Sequence, residues 1–175
     1  FSTCEATVGG WGGFDGGDGQ NCLINAINGD FKNLPVEFVE NKEPLRLRRY
    51  EVRPDSEGAG KYRGGLGCIR EYEVLADECY LTLWCERSVT TAWGLNGGLA
   101  AKGPDVIVDP GTPQERHYLK ANKIPLKRGS IVRMCTGGGG GFGDPKERDR
   151  DFVRHDVACG YLSKERAKEV YGLEL

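Results

Sequence analysis

The run Gly137 to Gly143 reads GGGGGFG and is closed by Asp144-Pro145, leaving a stretch of main chain almost without side-chain cover. Ordering consecutive glycines costs more backbone entropy than ordering any other residue, so a folded chain that keeps them has a use for bare backbone. Two uses fit. Successive N–H groups can converge on a phosphate or carboxylate, or a neighbouring chain can approach where a Cβ would block it. No Gly-Lys-Ser/Thr follows the run, and the strand-loop-helix order lacks the acidic ribose ligand of a dinucleotide fold. Both uses stay open.

Other segments carry side chains suited to charged ligands. In Asp55 to Gly67, Lys61 and Arg63 stand beside Gly64 and Gly65, a combination that holds an acidic group by charge-assisted hydrogen bonds. The alternative is a long connection whose cations are solvated or paired with Asp55 and Glu57. Asp15, Asp18 and Asn21 lie among glycines, where their oxygens can meet a hard cation or a substrate amide, or close Asx turns. Glu86-Arg87 follow an apolar stretch and precede Trp93-Gly-Leu-Asn-Gly-Gly98, so they emerge at a rim that either hosts a ligand or forms an ion pair under Trp93. His117 and His155 are the only histidines and stand far apart in polar surroundings, which gives no support to a two-histidine metal site or a His-based catalytic pair. No metal ligand set is assigned.

The elements that must position these groups are mostly short strands. Leu45 and Leu47 alternate with charged residues, as do Val36 and Phe38 before them, so both stretches read as half-buried strands. Tyr50 and Val52 resume one residue out of phase, which predicts a bulge near Arg48-Arg49. Tyr72 to Ala76, Cys79 to Cys85, Asp105 to Asp109 and Ser130 to Met134 add further strands. The Cys79 stretch is apolar on both faces and should sit centrally. For Asn21 to Asp30 the pattern fits either a short helical turn or a buried loop. Two helices are expected at the end. One runs around Asp149 to Ala158 with Phe152, Val153 and Val157 inward, and the other is capped by Ser163, stapled by Leu162 and Ala167, and ended by Gly172. The fold class is therefore mainly β (α+β), a multi-stranded sandwich or distorted barrel with long Gly-rich loops and two C-terminal helices.

With 175 residues the chain fits a single domain, 1–175, and its 27 glycines give loops a large share. A net charge of -2 without a basic stripe gives no footing for nucleic acid, and no segment reads as a signal peptide or membrane span. Seven cysteines, an odd number without CxxC spacing, point to a reducing cytoplasm and to small buried hydrophobes rather than nucleophiles. The chain opens on Phe1 and its only methionine is Met134, which is expected of part of a longer product.

In order along the chain stand Pro35-Val-Glu37, Tyr50, Asp55-Ser-Glu-Gly-Ala-Gly60, Tyr62-Arg-Gly-Gly-Leu-Gly67, Glu86-Arg87, Gly94-Leu-Asn-Gly-Gly98 and the glycine run with Gly143-Asp-Pro145. They are followed by Asp156-Val157, Gly160-Tyr-Leu-Ser163, Ala167 and Tyr171-Gly172. This succession resembles the hydantoinase B family over nearly the whole chain, and looks like the C-terminal third of those longer proteins. The family includes N-methylhydantoinase and 5-oxoprolinase, which open cyclic amides with ATP, and is related to acetone and acetophenone carboxylases.

The resemblance implies a hydantoinase A-type partner that binds ATP and Mg2+ and phosphorylates a carbonyl or bicarbonate oxygen. The B-type part then completes the conversion while shielding the intermediate from water. It implies a cyclic-amide hydrolase first, with ketone carboxylation or a non-catalytic assembly module as alternatives. The remainder of the B-type subunit would be the other partner, and any divalent metal would belong to that upstream part. Asp18, Lys61, Arg63, Gly64, Gly65, Glu86 and Arg87 are the candidates for holding substrate or a phosphorylated intermediate. His155 is not a feature of the family and inherits no catalytic role.

Overall fold

The computed structural model describes residues 1–24 and 32–175. Helix α1 (Val36–Lys42) leads into β1 (Leu45–Val52), β2 (Cys68–Val74), β3 (Glu78–Trp84), β4 (Asp105–Val108), β5 (Arg116–Tyr118), β6 (Lys120–Lys127) and β7 (Ile131–Cys135). A 3-10 turn (Pro145–Glu147) and helices α2 (Arg150–Ala158) and α3 (Lys164–Glu169) close the chain. The strands form an antiparallel five-stranded sheet of order β1-β2-β7-β4-β5 and a two-stranded sheet of β3 and β6. Val74, Val106, Val108 and Val132 of the large sheet pack against Ile124 and Leu126 of β6, with Leu81 and Leu83 of β3 closing the layer. The expected β-dominated α+β sandwich is what forms. No helix among the described residues is long and apolar enough to cross a membrane.

Several elements depart from the pattern reading. Val36 and Phe38 lie in helix α1, because Pro35 occupies its N-cap and Glu37 and Lys42 suit its two ends, leaving Val39 as its buried residue. β3 is not central. It pairs only with β6, and its outer residues Tyr80 and Trp84 are exposed, Trp84 to 78%. β6 escapes detection because Pro125 interrupts it and only Ile124 and Leu126 point inward; Pro125 is tolerated in this two-stranded sheet. The bulge lies where expected, between Leu47 and Arg49. Of Asn21 to Asp30, residues 25–30 lie outside the described residues, and Leu23 bridges to Gly9. In α2, Phe152 faces solvent and Asp156 takes an inward position beside Val153.

From β7 the chain runs into the glycine run, which crosses between three other segments. Gly138 and Gly141 donate to Lys102 and Leu99 at 3.1 and 3.0 Å, whereas Gly139 and Phe142 donate to Gly65 and Tyr62, each at 2.9 Å. The carbonyls of Gly137 and Gly140 accept from Gly10 and Gly13 at 3.0 and 2.8 Å. Bonds to each neighbour recur every third residue, the period of a polyproline II-type helix, which makes no internal hydrogen bonds and turns its backbone groups outward. The crossing needs glycine sterically: a Cβ on Gly139 would lie 1.9 Å from the Trp11 carbonyl oxygen, and one on Gly64 would lie 1.7 Å from that of Gly139. Backbone packing thus uses the N–H groups of Gly138, Gly139, Gly141, Phe142 and Gly143, which an anion cradle would have offered.

Gly139→Ala should cost about 3 kcal/mol or abolish folding, because backbone rather than a yielding side chain blocks the methyl. Gly111→Ala, in open space at φ +75°, should cost only about 1–2 kcal/mol of backbone strain by urea denaturation. On the sheet edge, His117 sits between Glu115 and Asp105, whose hydrogen bonds raise its pKa above 6.5. Its contribution is fully present below pH 6.5 and lost as pH rises through the raised native value. The stability difference between wild type and His117→Gln, measured by urea denaturation, should therefore be greatest below pH 6.5 and shrink as pH rises above it.

Candidate functional site

The charged groups expected to face a ligand divide between a buried cluster and an exposed rim. In the cluster, the Arg63 guanidinium grips Asp156 with Nε at 3.0 Å and Nη2 at 3.1 Å, and its Nη1 donates to Asn21 Oδ1 and the Gly64 carbonyl. Arg148 reaches the same Asp156 carboxylate at 2.8 Å and binds both oxygens of Asp18 at 2.7 Å. Asp18 also accepts from the Arg63 backbone N–H at 2.9 Å. Two arginines and two aspartates close a neutral network, with Arg63 only 6% and Asp156 2% exposed. Burial works against the Arg148 charge, but Asp18 and Asp156 more than offset it and its pKa is raised. The network joins the N-terminal glycine segment, the Lys61–Leu66 loop and α2.

The alternative pairing of Lys61 and Arg63 with Glu57 and Asp55 does not occur. Asp55 accepts from the Ser163 N–H at the start of α3, and Glu57 binds Arg166 Nε at 2.6 Å. Glu57 is wholly buried, and that burial raises its pKa despite Arg166. Asp55 and Glu57 therefore anchor α3 against the glycine loops, where Ala59 meets Val153, Leu162, Ala167 and Tyr171 in a second core. Lys61 remains at the surface, 3.7 Å from Glu147.

The rim lies where β3 ends. Cys85 to Thr90, Trp93 and Lys120 line a pocket of about 370 Å³. Arg87, in the left-handed region at φ +54°, stacks on Trp93 with 4.6 Å between guanidinium and ring centre. Glu86 accepts from Lys120 at 3.1 Å and from the Trp84 indole at 2.6 Å, and these hydrogen bonds, Lys120 first, lower its pKa. Among the described residues no carboxylate pairs with Arg87.

Asp18, Arg63, Gly64 and Gly65 thus meet in one place, Glu86 and Arg87 in another, and Lys61 in neither. Sequence reading missed Arg148, hidden in the charged stretch after the glycine run, and Lys120, on the undetected strand β6. Asp156 carried a signal: an acid three residues after Val153 on the inward face of a helix needs a cationic partner. Asp15 sits in the exposed turn between Phe14 and Gly17, while the hydrogen bonds of the cluster run to Asp18 and Asn21. Among the described residues no three His, Cys, Asp or Glu side chains are placed to hold a metal ion.

Asp156→Ala leaves two buried guanidinium groups short of an anion and should destabilise the fold by about 3–5 kcal/mol. Asp156→Asn should lose a similar amount, since the charge rather than the shape is required; chemical denaturation of the two variants checks this.

A sequence profile of the family described as Hydantoinase B/oxoprolinase matches residues 1–145. The chain is 37% identical over 144 residues to the uncharacterized protein MJ0963 of Methanocaldococcus jannaschii, covering 82% of this chain and 25% of that protein. It is 31% identical over 170 residues to the B-type subunit of a putative D-/L-hydantoinase of Pseudomonas sp. strain NS671, covering 95% and 28%. The ATP-dependent caprolactamase of Pseudomonas jessenii superposes with a TM-score of 0.76 at 25% identity, over 96% of this chain and 30% of that one. Nucleotide-free acetone carboxylase gives a TM-score of 0.72 at 26% identity, over 89% and 25%. This chain spans about a quarter of the length of the two sequence relatives. With a profile match over most of its length and the same fold in two solved relatives, the chain belongs to the hydantoinase B/oxoprolinase family.

Proposed function

We propose that residues 1–175 form one domain, the C-terminal part of a hydantoinase B-type subunit in a cytoplasmic, ATP-dependent cyclic-amide hydrolase. A hydantoinase A-type partner takes up ATP and Mg2+ and phosphorylates the substrate; the B-type part receives the activated species. The observation that carries the reading within this chain is the rim cation Arg87. It is held on Trp93, lacks a carboxylate partner among the described residues and is flanked by Lys120 beside an open pocket. A planar guanidinium there can hold a phosphoryl or carboxylate group by paired hydrogen bonds. Glu86 holds Lys120 in place, while Asp18, Arg63, Gly64 and Gly65 form the frame behind. The exposed Tyr80, Trp84 and Val89 near this rim supply apolar surface for the remainder of the B-type chain to cover.

Ketone carboxylation is the second reading, favoured by the likeness to acetone carboxylase. ATP consumption by the purified native complex separates the two: dependence on a lactam, hydantoin or oxoproline supports amide opening, and dependence on a ketone with bicarbonate replaces it. Arg87→Ala in that complex should lower kcat/KM about 100-fold, the order expected for losing one preorganised charge donor, with assembly unchanged by size-exclusion chromatography. An unaltered kcat/KM would remove the rim from the reaction.

A further inference from the structure

Seven free cysteines are distributed over the chain, and two of them meet. Cys22 lies on the N-terminal segment directly after Asn21. Its N–H donates to the Leu66 carbonyl at 2.9 Å, and its thiol lies 3.3 Å from the Gly67 carbonyl oxygen. That places its sulfur against the peptide that leads into Cys68, the next residue. Cys68 is 1% exposed and is enclosed by the Val8 carbonyl at 3.5 Å and the Thr136 hydroxyl at 3.6 Å. Cys22 is only half-buried, so solvent meets the pair from its side. The nearness of Cys22 lowers the Cys68 pKa to about 7 against the effect of burial, helped by Thr136 and the Arg70 charge. The nearness of Cys68, with burial, pushes Cys22 up.

We propose that Cys22 and Cys68 form an oxidisable dithiol that reacts with low-molecular-weight disulfides and closes into a reversible intramolecular disulfide. Burial assigns the roles. Cys22, the accessible sulfur, gives its proton to solvent and attacks the external disulfide RSSR as the thiolate, giving Cys22–S–SR and releasing RS⁻, which takes a proton from solvent. Cys68, the more acidic thiol, gives its own proton to solvent, attacks the Cys22 sulfur as the thiolate and expels the second RS⁻, which is likewise protonated from solvent. The protein loses two electrons and two protons, and RSSR becomes two RSH. Cys79, Cys85 and Cys135 lack such a partner and have pKa values raised by burial. The product would tie the N-terminal glycine segment, already bonded to the glycine run through Gly10 and Gly13, to the first residue of β2.

The test treats the native complex with glutathione disulfide, blocks remaining thiols and maps peptides without reduction. The exposed Cys4 and Cys159 report that the reagent has reacted. The expected product is a Cys22–Cys68 cross-linked peptide, reversed by dithiothreitol and accompanied by a rise in Tm of several degrees. Cys68→Ser should stop at a glutathione adduct on Cys22, and Cys22→Ser should leave Cys68 unmodified. A wild-type protein in which Cys4 and Cys159 are fully modified while Cys22 and Cys68 stay free, or in which Cys22 keeps its glutathione adduct, overturns the proposal; so does Cys22 or Cys68 joined to any other cysteine.

Discussion

Close approach of bare backbone at the glycine run governs how the rest of the chain is arranged. Three segments, around Gly10 to Gly13, Gly58 to Gly65 and Leu95 to Lys102, hydrogen-bond to Gly137–Gly143 from different sides. A three-residue period lets one extended chain satisfy them in rotation, whereas a β-strand offers only two edges. The contacts are made at distances that a Cβ forbids, so the stability lost to ordering glycines is offset by dense backbone hydrogen bonding. The apolar sandwich and the helical cap then lie on either side of a layer that has few apolar side chains of its own.

A layer built from main chain has little hydrophobic content, and charge helps to hold its parts in register. Asp18 on the first glycine segment, Arg63 on the second, and Arg148 and Asp156 beyond the run are bound to one another, all but the partly exposed Asp18 out of solvent. Such a network is weak as a source of net stability and strong as a selector of arrangement: displacing any member leaves a buried charge uncompensated. Arg166 with Glu57 repeats the device at α3. These charges engage one another and tie the segments together.

Chemistry with an anionic intermediate requires the opposite condition, a cation held in place yet open to a ligand. At the rim an aromatic face orients the Arg87 guanidinium without using its hydrogen-bond donors, the property on which the proposed function rests. The relatives are longer, and this chain covers 28% of one and 30% of another.

Local pattern by itself determined the bulge at Arg48-Arg49, the positions of β4 and β7, the Ser163 cap and the mainly β class, because these follow from period, turn chemistry and capping within a few residues. The ordered words from Pro35 to Gly172 carried the family. Tertiary structure alone decided which charges are partners: Arg63 and Asp156 stand far apart in the chain, and nothing near either names the other. It also decided that the glycine run binds backbone rather than an anion, since a bare N–H suits both and only the neighbour brought to it by folding tells them apart. The same holds for Cys22 and Cys68, whose spacing signals nothing until the N-terminal segment folds back along Leu66 and Gly67.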